Sequence, residues 1–270
     1  MASIQTFTDV NGTRLYYEVA GSGNPVIFIH GFGADSRVWD SQFKAFAEHY
    51  LVIRYDIRGH GKSAVPSGER YSHADDLKAL LEHLNIPQAS VIGQSLGGGI
   101  ALDFALAYPE KTTSIVLVDS TLDGYQWSNE WNESWIPIYS EFAKSGASAC
   151  LPMLLAHPLF APGFRQPALK ARLAEILSDY SGWHIMNPDP VIAGDPPAIQ
   201  CLDQIQVRVL ILIGELDLPD FHAMSNILLE KIPNARKIEF VDTGHVLPME
   251  APEKFNEIVL SFLVSDRDHF

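Results

Sequence analysis

The apolar run Ala89-Ser90-Val91-Ile92 passes directly into Gly93-Gln94-Ser95-Leu96-Gly97, and a helix-compatible stretch over residues 98–108 follows. A serine between strand and helix must take a strained backbone, and the flanking glycines remove side chains that would clash in so tight a turn. The turn pushes the hydroxyl clear of the sheet. The next N–H, that of Leu96, opens a helix at the end where developing negative charge is favoured. One turn therefore supplies a candidate nucleophile and part of its electrophilic support.

Two further strands end in the groups such a serine needs. Val207-Arg208-Val209-Leu210-Ile211-Leu212-Ile213 reads as a buried parallel strand, and Gly214-Glu215-Leu216-Asp217 sets a carboxylate just beyond it. Lys237-Ile238-Glu239-Phe240-Val241 reads as another strand, and the loop Asp242-Thr243-Gly244-His245 then carries an imidazole. Asp217 is the natural acid and His245 the natural base. Asp119, which ends a neighbouring strand, and Asp220 are rival acids, with Asp217 then capping the helix after Pro219. His222 is a rival base.

Pro25-Val26-Ile27-Phe28-Ile29 is a further strand, followed by His30-Gly31-Phe32-Gly33. At this point the chain resembles the α/β-hydrolase superfamily, and within it the serine-nucleophile esterase and enol-lactonase branch. The likeness covers nearly the whole chain. It adds Asp56-Ile57-Arg58-Gly59-His60-Gly61-Lys62-Ser63 after a fourth strand, the stretch Gly214-Glu215-Leu216-Asp217-Leu218-Pro219-Asp220-Phe221, and a terminal helix after His245. The resemblance implies a Ser95, Asp217, His245 triad in that chain order, with the N–H groups of Phe32 and Leu96 as oxyanion hole. It also implies a mainly parallel eight-stranded sheet with helices on both faces and an inserted helical cap.

Local patterns fit that fold. Asn11-Gly12 between residues 7–10 and 13–19 is a hairpin signature, because Asn-Gly readily takes positive φ angles. From Pro25 onward strands and helices alternate, as a parallel sheet requires. Ser72 begins one helix with Asp75 three residues on, and Leu77, Leu80, Leu81 and Leu84 form its apolar stripe. Pro252 starts the last helix, striped by Phe255, Ile258, Val259 and Phe262. Residues 121–197 hold no convincing strand and are punctuated by prolines, so they are expected to form the cap, with residues 1–120 and 198–270 as the core. Leu169, Leu173, Ile176, Leu177 and Tyr180 make an amphipathic face within it. Trp127, Trp131 and Trp135 recur at four-residue intervals and would share one helix face, either packing cap onto core or lining a substrate pocket.

The 270 residues, 47% of them apolar, can bury a large core. A net charge of −14 without a basic stripe excludes nucleic-acid binding as the expectation, and it favours small neutral esters over anionic substrates. Met1-Ala2-Ser3-Ile4-Gln5 lacks the pattern of a leader, no segment approaches the roughly 18 apolar residues of a membrane span, and the chain is expected to be cytoplasmic. Cys150 and Cys201 need no disulfide. No metal or organic cofactor is expected, since there is no His-Glu-x-x-His helix or cysteine cluster, and Gly97-Gly98-Gly99 suits close helix packing. His49, His73, His83 and His269 read as solvated residues, His30 and His60 as ligands of loop backbone near the site.

The implied chemistry is hydrolysis of carboxylic esters, or of lactones, through an acyl-enzyme on Ser95. The same triad serves carbon–carbon bond hydrolases, and some proteins of this fold keep a triad yet act as ligand sensors with little turnover. The sequence leaves these alternatives open.

Overall fold

The computed structural model describes residues 3–264. Met1, Ala2 and His269 lie outside the described residues. Strands are β1 (Ile4–Val10), β2 (Thr13–Gly21), β3 (Pro25–Ile29), β4 (Leu51–Tyr55), β5 (Ala89–Gln94), β6 (Thr112–Val118), β7 (Arg208–Gly214) and β8 (Ala235–Phe240). Helices are α1 (Asp40–Phe46), α2 (His73–His83), α3 (Leu96–Ala107), α4 (Asn129–Ser145) and α5 (Ala147–Leu155). They continue with α6 (Pro167–Ser178), α7 (Trp183–Met186), α8 (Pro219–Lys231), α9 (Leu247–Glu250) and α10 (Pro252–Val264).

The eight strands form one sheet in the order β1-β2-β4-β3-β5-β6-β7-β8. β1 and β2 pair antiparallel through a hairpin whose Asn11 and Gly12 take φ of 47° and 68°, and β2 pairs antiparallel with β4. Every other pairing is parallel. Residues alternate between two apolar layers, as the period of a strand dictates. Ile27, Ile29, Val91, Ile115, Leu117, Val209 and Ile211 face the layer built with α2, α3 and α8. Val26, Phe28, Ile92, Val116, Leu210 and Leu212 face the layer built with α1 and α10. The central strands are thus buried on both faces, which is why they read as unbroken apolar runs.

The Ser72 hydroxyl accepts the Asp75 N–H at 3.3 Å at the start of α2, and α10 begins at Pro252. Between β6 and β7 the described chain forms helices α4 to α7, tied back to the core by a bridge between Tyr71 and Val191. Trp127 departs from the four-residue helical reading. It precedes the N-cap Ser128 of α4, so only Trp131 and Trp135 share a helix face. His73 is not a solvated residue but partly buried at the first position of α2. His49 and His83 are exposed. Cys150 and Cys201 are buried free thiols.

The fold gathers the loops that leave β3, β5, β6, β7 and β8 at the carboxyl edge of the sheet. Open parallel sheets bind ligands there.

Candidate active site

Ser95 follows β5 with φ 54° and ψ −118°, outside the ordinary basins of an L-residue. The strain is held by main-chain bonds. Its N–H donates to Val118 O at 2.9 Å, and its carbonyl accepts the N–H groups of Gly98 and Thr121 at 2.9 and 3.1 Å. A Cβ at Gly93 would stand 2.0 Å from Gly97 O, and one at Gly97 would stand 2.3 Å from Ile29 O. Only glycine lets strand and helix approach so closely on either side of the serine. Leu96 is the first residue of α3, so its N–H has no partner within the helix.

Asp217 and His245 meet across two loops. His245 Nδ1 lies 2.9 Å from Asp217 Oδ2, with both side chains almost wholly buried. A carboxylate only accepts, so the imidazole proton resides on Nδ1 and Nε2 is the basic nitrogen. The other Asp217 oxygen accepts the Leu218 N–H at 2.7 Å. The loop carrying His245 is itself clamped. Glu250 Oε2 accepts the Gly244 N–H at 2.9 Å, Oε1 accepts the Val246 N–H at 3.2 Å, and Gln94 Nε2 donates to His245 O at 2.8 Å. Burial pushes the Glu250 carboxyl above the usual carboxylate range, while the two backbone donors pull it back.

The rivals are placed elsewhere. Asp220 accepts from the Tyr125 hydroxyl and from the Ser128 N–H and hydroxyl, which fastens the start of α4 to α8. Asp119 accepts the Gly214 N–H at 2.9 Å and does not hold the imidazole. The coordinating atoms of Asp119, Asp217 and His245 lie within 4.8 Å of one another. A metal would have to break the direct 2.9 Å bond between His245 and Asp217, so the set fits a hydrogen-bonded chain better than a coordination sphere.

Ser95, Leu96, Phe32 and His245 share one cavity of about 270 Å³ with Trp127, Trp131 and Trp135. The tryptophans both pack and line. Trp127 and Trp131 stack at 4.3 Å between ring centres, and both meet Phe221, whose ring lies 4.3 Å from that of His245. No Lys, Arg, Asp or Glu side chain lines the cavity among the described residues. The nearby Arg58 is committed to Asp76 at 2.7 Å, both buried.

Phe32 is braced from behind. Its ring meets those of His60, Tyr180 and His184 edge-on at 5.5, 5.5 and 6.0 Å. His60 Nδ1 pairs with Arg58 O at 3.2 Å, and His30 Nδ1 pairs with Gly31 O at 2.8 Å while its Nε2 accepts the Ile57 N–H at 3.0 Å. Burial holds all three imidazoles, His30, His60 and His184, below the ordinary histidine range.

Sequence reasoning did not reach Glu250, Gln94 or His157. The last is buried on Trp135 at 4.4 Å between ring centres, with Nε2 2.9 Å from the Ser134 hydroxyl. Their roles depend on loop contacts that no spacing encodes. The one signal in the sequence was a Glu set between the His245 loop and the proline that opens α10.

Residues 24–184 match the family model described as the alpha/beta hydrolase fold, and the chain belongs to that family. Within it, the chain is 28% identical over 238 residues to 3-oxoadipate enol-lactonase 2 of Acinetobacter baylyi, covering 87% of this chain and 86% of that one. A match of 36% identity to an uncharacterised Mycobacterium tuberculosis protein spans only 117 residues, 42% of this chain and 34% of that protein. Among solved structures, Est816, described as an N-acyl homoserine lactone degrading enzyme, superposes with a TM-score of 0.77 at 28% identity, covering 95% of this chain and 100% of that one.

Proposed function

We propose that the protein is a serine hydrolase that cleaves uncharged carboxylic esters, lactones among them, through an acyl-enzyme on Ser95. The observation that carries this reading is the buried 2.9 Å contact of His245 Nδ1 with Asp217 beside a serine in a strained turn on the same cavity. His245 Nε2 removes the Ser95 proton as the hydroxyl attacks the carbonyl carbon. Asp217 holds the imidazole and favours its cationic form, and the N–H groups of Phe32 and Leu96 receive the oxyanion. The imidazolium returns its proton to the departing alkoxide. Water then repeats the attack and frees the acid.

In this reading residues 121–197 are the cap and the tryptophans are its contribution to the acyl site. A carboxylate carried into this cavity would meet no Lys or Arg among the described residues, and the resting His245 is neutral, so its desolvation would go uncompensated. The lactone-degrading and enol-lactonase relatives support ester and lactone chemistry over carbon–carbon cleavage. Among the described residues no helix is long and apolar enough to cross a membrane.

The test is labelling with a fluorophosphonate together with turnover of short p-nitrophenyl esters. Wild-type protein is expected to take up one label and release many equivalents of nitrophenol, and Ser95→Ala to lose both. A single burst without turnover would instead identify a ligand sensor.

A further inference from the structure

Asp119 directly follows β6, one strand away from Asp217, with its side chain fully excluded from solvent. Its position is fixed by the main chain. The Asp119 N–H donates to Leu212 O at 2.9 Å, its φ is 45°, and Oδ1 accepts the Gly214 N–H at 2.9 Å. The carboxyl thus straddles the end of β7, immediately before the loop that carries Asp217.

Its second oxygen is the anomaly. Asp119 Oδ2 is buried, and no group among the described residues donates to it. The neighbouring carboxylate is that of Asp217, within 4.8 Å of the Asp119 carboxyl, and it also only accepts. Two buried carboxylates this close cannot both be ionised, so one retains a proton. The donors decide which. Asp217 accepts two N–H groups, from Leu218 and His245, and Asp119 accepts one, from Gly214. Negative charge settles where more donors meet it, leaving the proton on Asp119 Oδ2. A proton there removes the anomaly, since Oδ2–H then donates to Asp217.

We propose that Asp119 is a positioning residue that works as a neutral carboxylic acid, donating a hydrogen bond to Asp217 and fixing the plane in which Asp217 meets His245. Burial and the Asp217 charge both hold the Asp119 carboxyl well above its usual range, in keeping with that geometry. Asp119 does not line the cavity, so it acts on the reaction only through Asp217. Three donors then converge on Asp217: the Leu218 amide, the His245 imidazole and the Asp119 acid. With its oxygens so occupied, the carboxylate cannot swing away from the imidazole. This rests on the hydrolase reading of Ser95, Asp217 and His245.

The test compares Asp119→Asn with Asp119→Leu. The asparagine amide offers Asp217 a donor and Gly214 an acceptor in the places the neutral acid does. It is expected to retain at least about a third of kcat, with the acid limb of the pH profile unmoved. Leucine keeps the volume but offers neither group, and kcat is expected to fall about 10- to 100-fold at unchanged KM, as when a catalytic group is misplaced by about an ångström. Infrared spectroscopy supplies a readout that needs no turnover and no leucine variant. In the difference spectrum of wild type minus Asp119→Asn at pH 7, the carbonyl band of one buried protonated carboxyl is expected, over and above what Asp103 and Glu250 contribute to both proteins. Loss of the hydrolase reading would leave that band in place, so the two claims fail separately. The proposal is overturned by absence of the band, by a leucine variant with wild-type kcat, or by an asparagine variant whose acid limb moves to lower pH, the mark of a lost negative charge.

Discussion

Glu250 accepts from the amides on both sides of His245, while Gln94 holds the carbonyl between them. The imidazole is thereby located through three main-chain contacts as well as through Asp217. In Glu250→Gln one acceptor becomes an NH₂ group pointed at an amide N–H, which both loses a bond and opposes two donors. The variant is expected to lose about 1–3 kcal/mol of stability, measured by urea unfolding, and about tenfold in kcat with KM little changed. A drop in stability with kcat intact would reduce Glu250 to a structural role. The candidate residues Ser95, Asp217 and His245 could be singled out in the sequence because each stands in the loop that follows a strand, where a parallel sheet leaves residues free for chemistry. Glu250, Gln94 and the Asp119 contact were not, because each acts through loop geometry that has no period and no spacing.

At the level of elements, legibility followed burial. β3 was read to the residue from its five apolar positions and β7 within one residue, because strands covered on both faces write themselves as continuous apolar runs, while the half-exposed edge strand β8 was read only within about two residues. The helices between β6 and β7 bury only one side, and their prolines interrupt any period, so the sequence gives their existence without their packing. α4 shows what was hidden. Its start is fixed by Ser128 and by Asp220 from a distant helix, and Trp127 lies ahead of that start, stacked on Trp131. Trp131 therefore packs against Trp127 and Phe221 while lining the cavity. Its replacement by alanine removes apolar contact area that an acyl group would share. Trp131→Ala is expected to lower kcat/KM at least about tenfold for a butyrate ester and less for an acetate, mainly through KM. Equal losses for both esters would place Trp131 outside the acyl site.

Across the whole molecule, buried imidazoles and buried carboxyls pull the pH dependence of stability in opposite directions. His73, at the positive end of α2, is held down to about 3, first by desolvation and then by His184, Arg58 and His30. His157, mainly desolvated, is held down to about 4. In the unfolded chain such groups titrate near 6.5. Between pH 6.5 and about 3 the unfolded chain binds a proton at position 73 that the folded chain refuses, so acidification favours unfolding there. The stability this group contributes is complete above pH 6.5 and is lost as the pH falls toward 3. Asp103, raised to about 7 by burial and by Asp123, has the opposite sign, since its neutral form is the one the fold accommodates. The wild-type curve sums these contributions and isolates none. A comparison does: between pH 7.5 and 4.5, wild type is expected to lose about 2 kcal/mol more than His73→Gln, read from urea unfolding at both pH values. Identical losses would mean that His73 takes up its proton in the folded chain as readily as in the unfolded one.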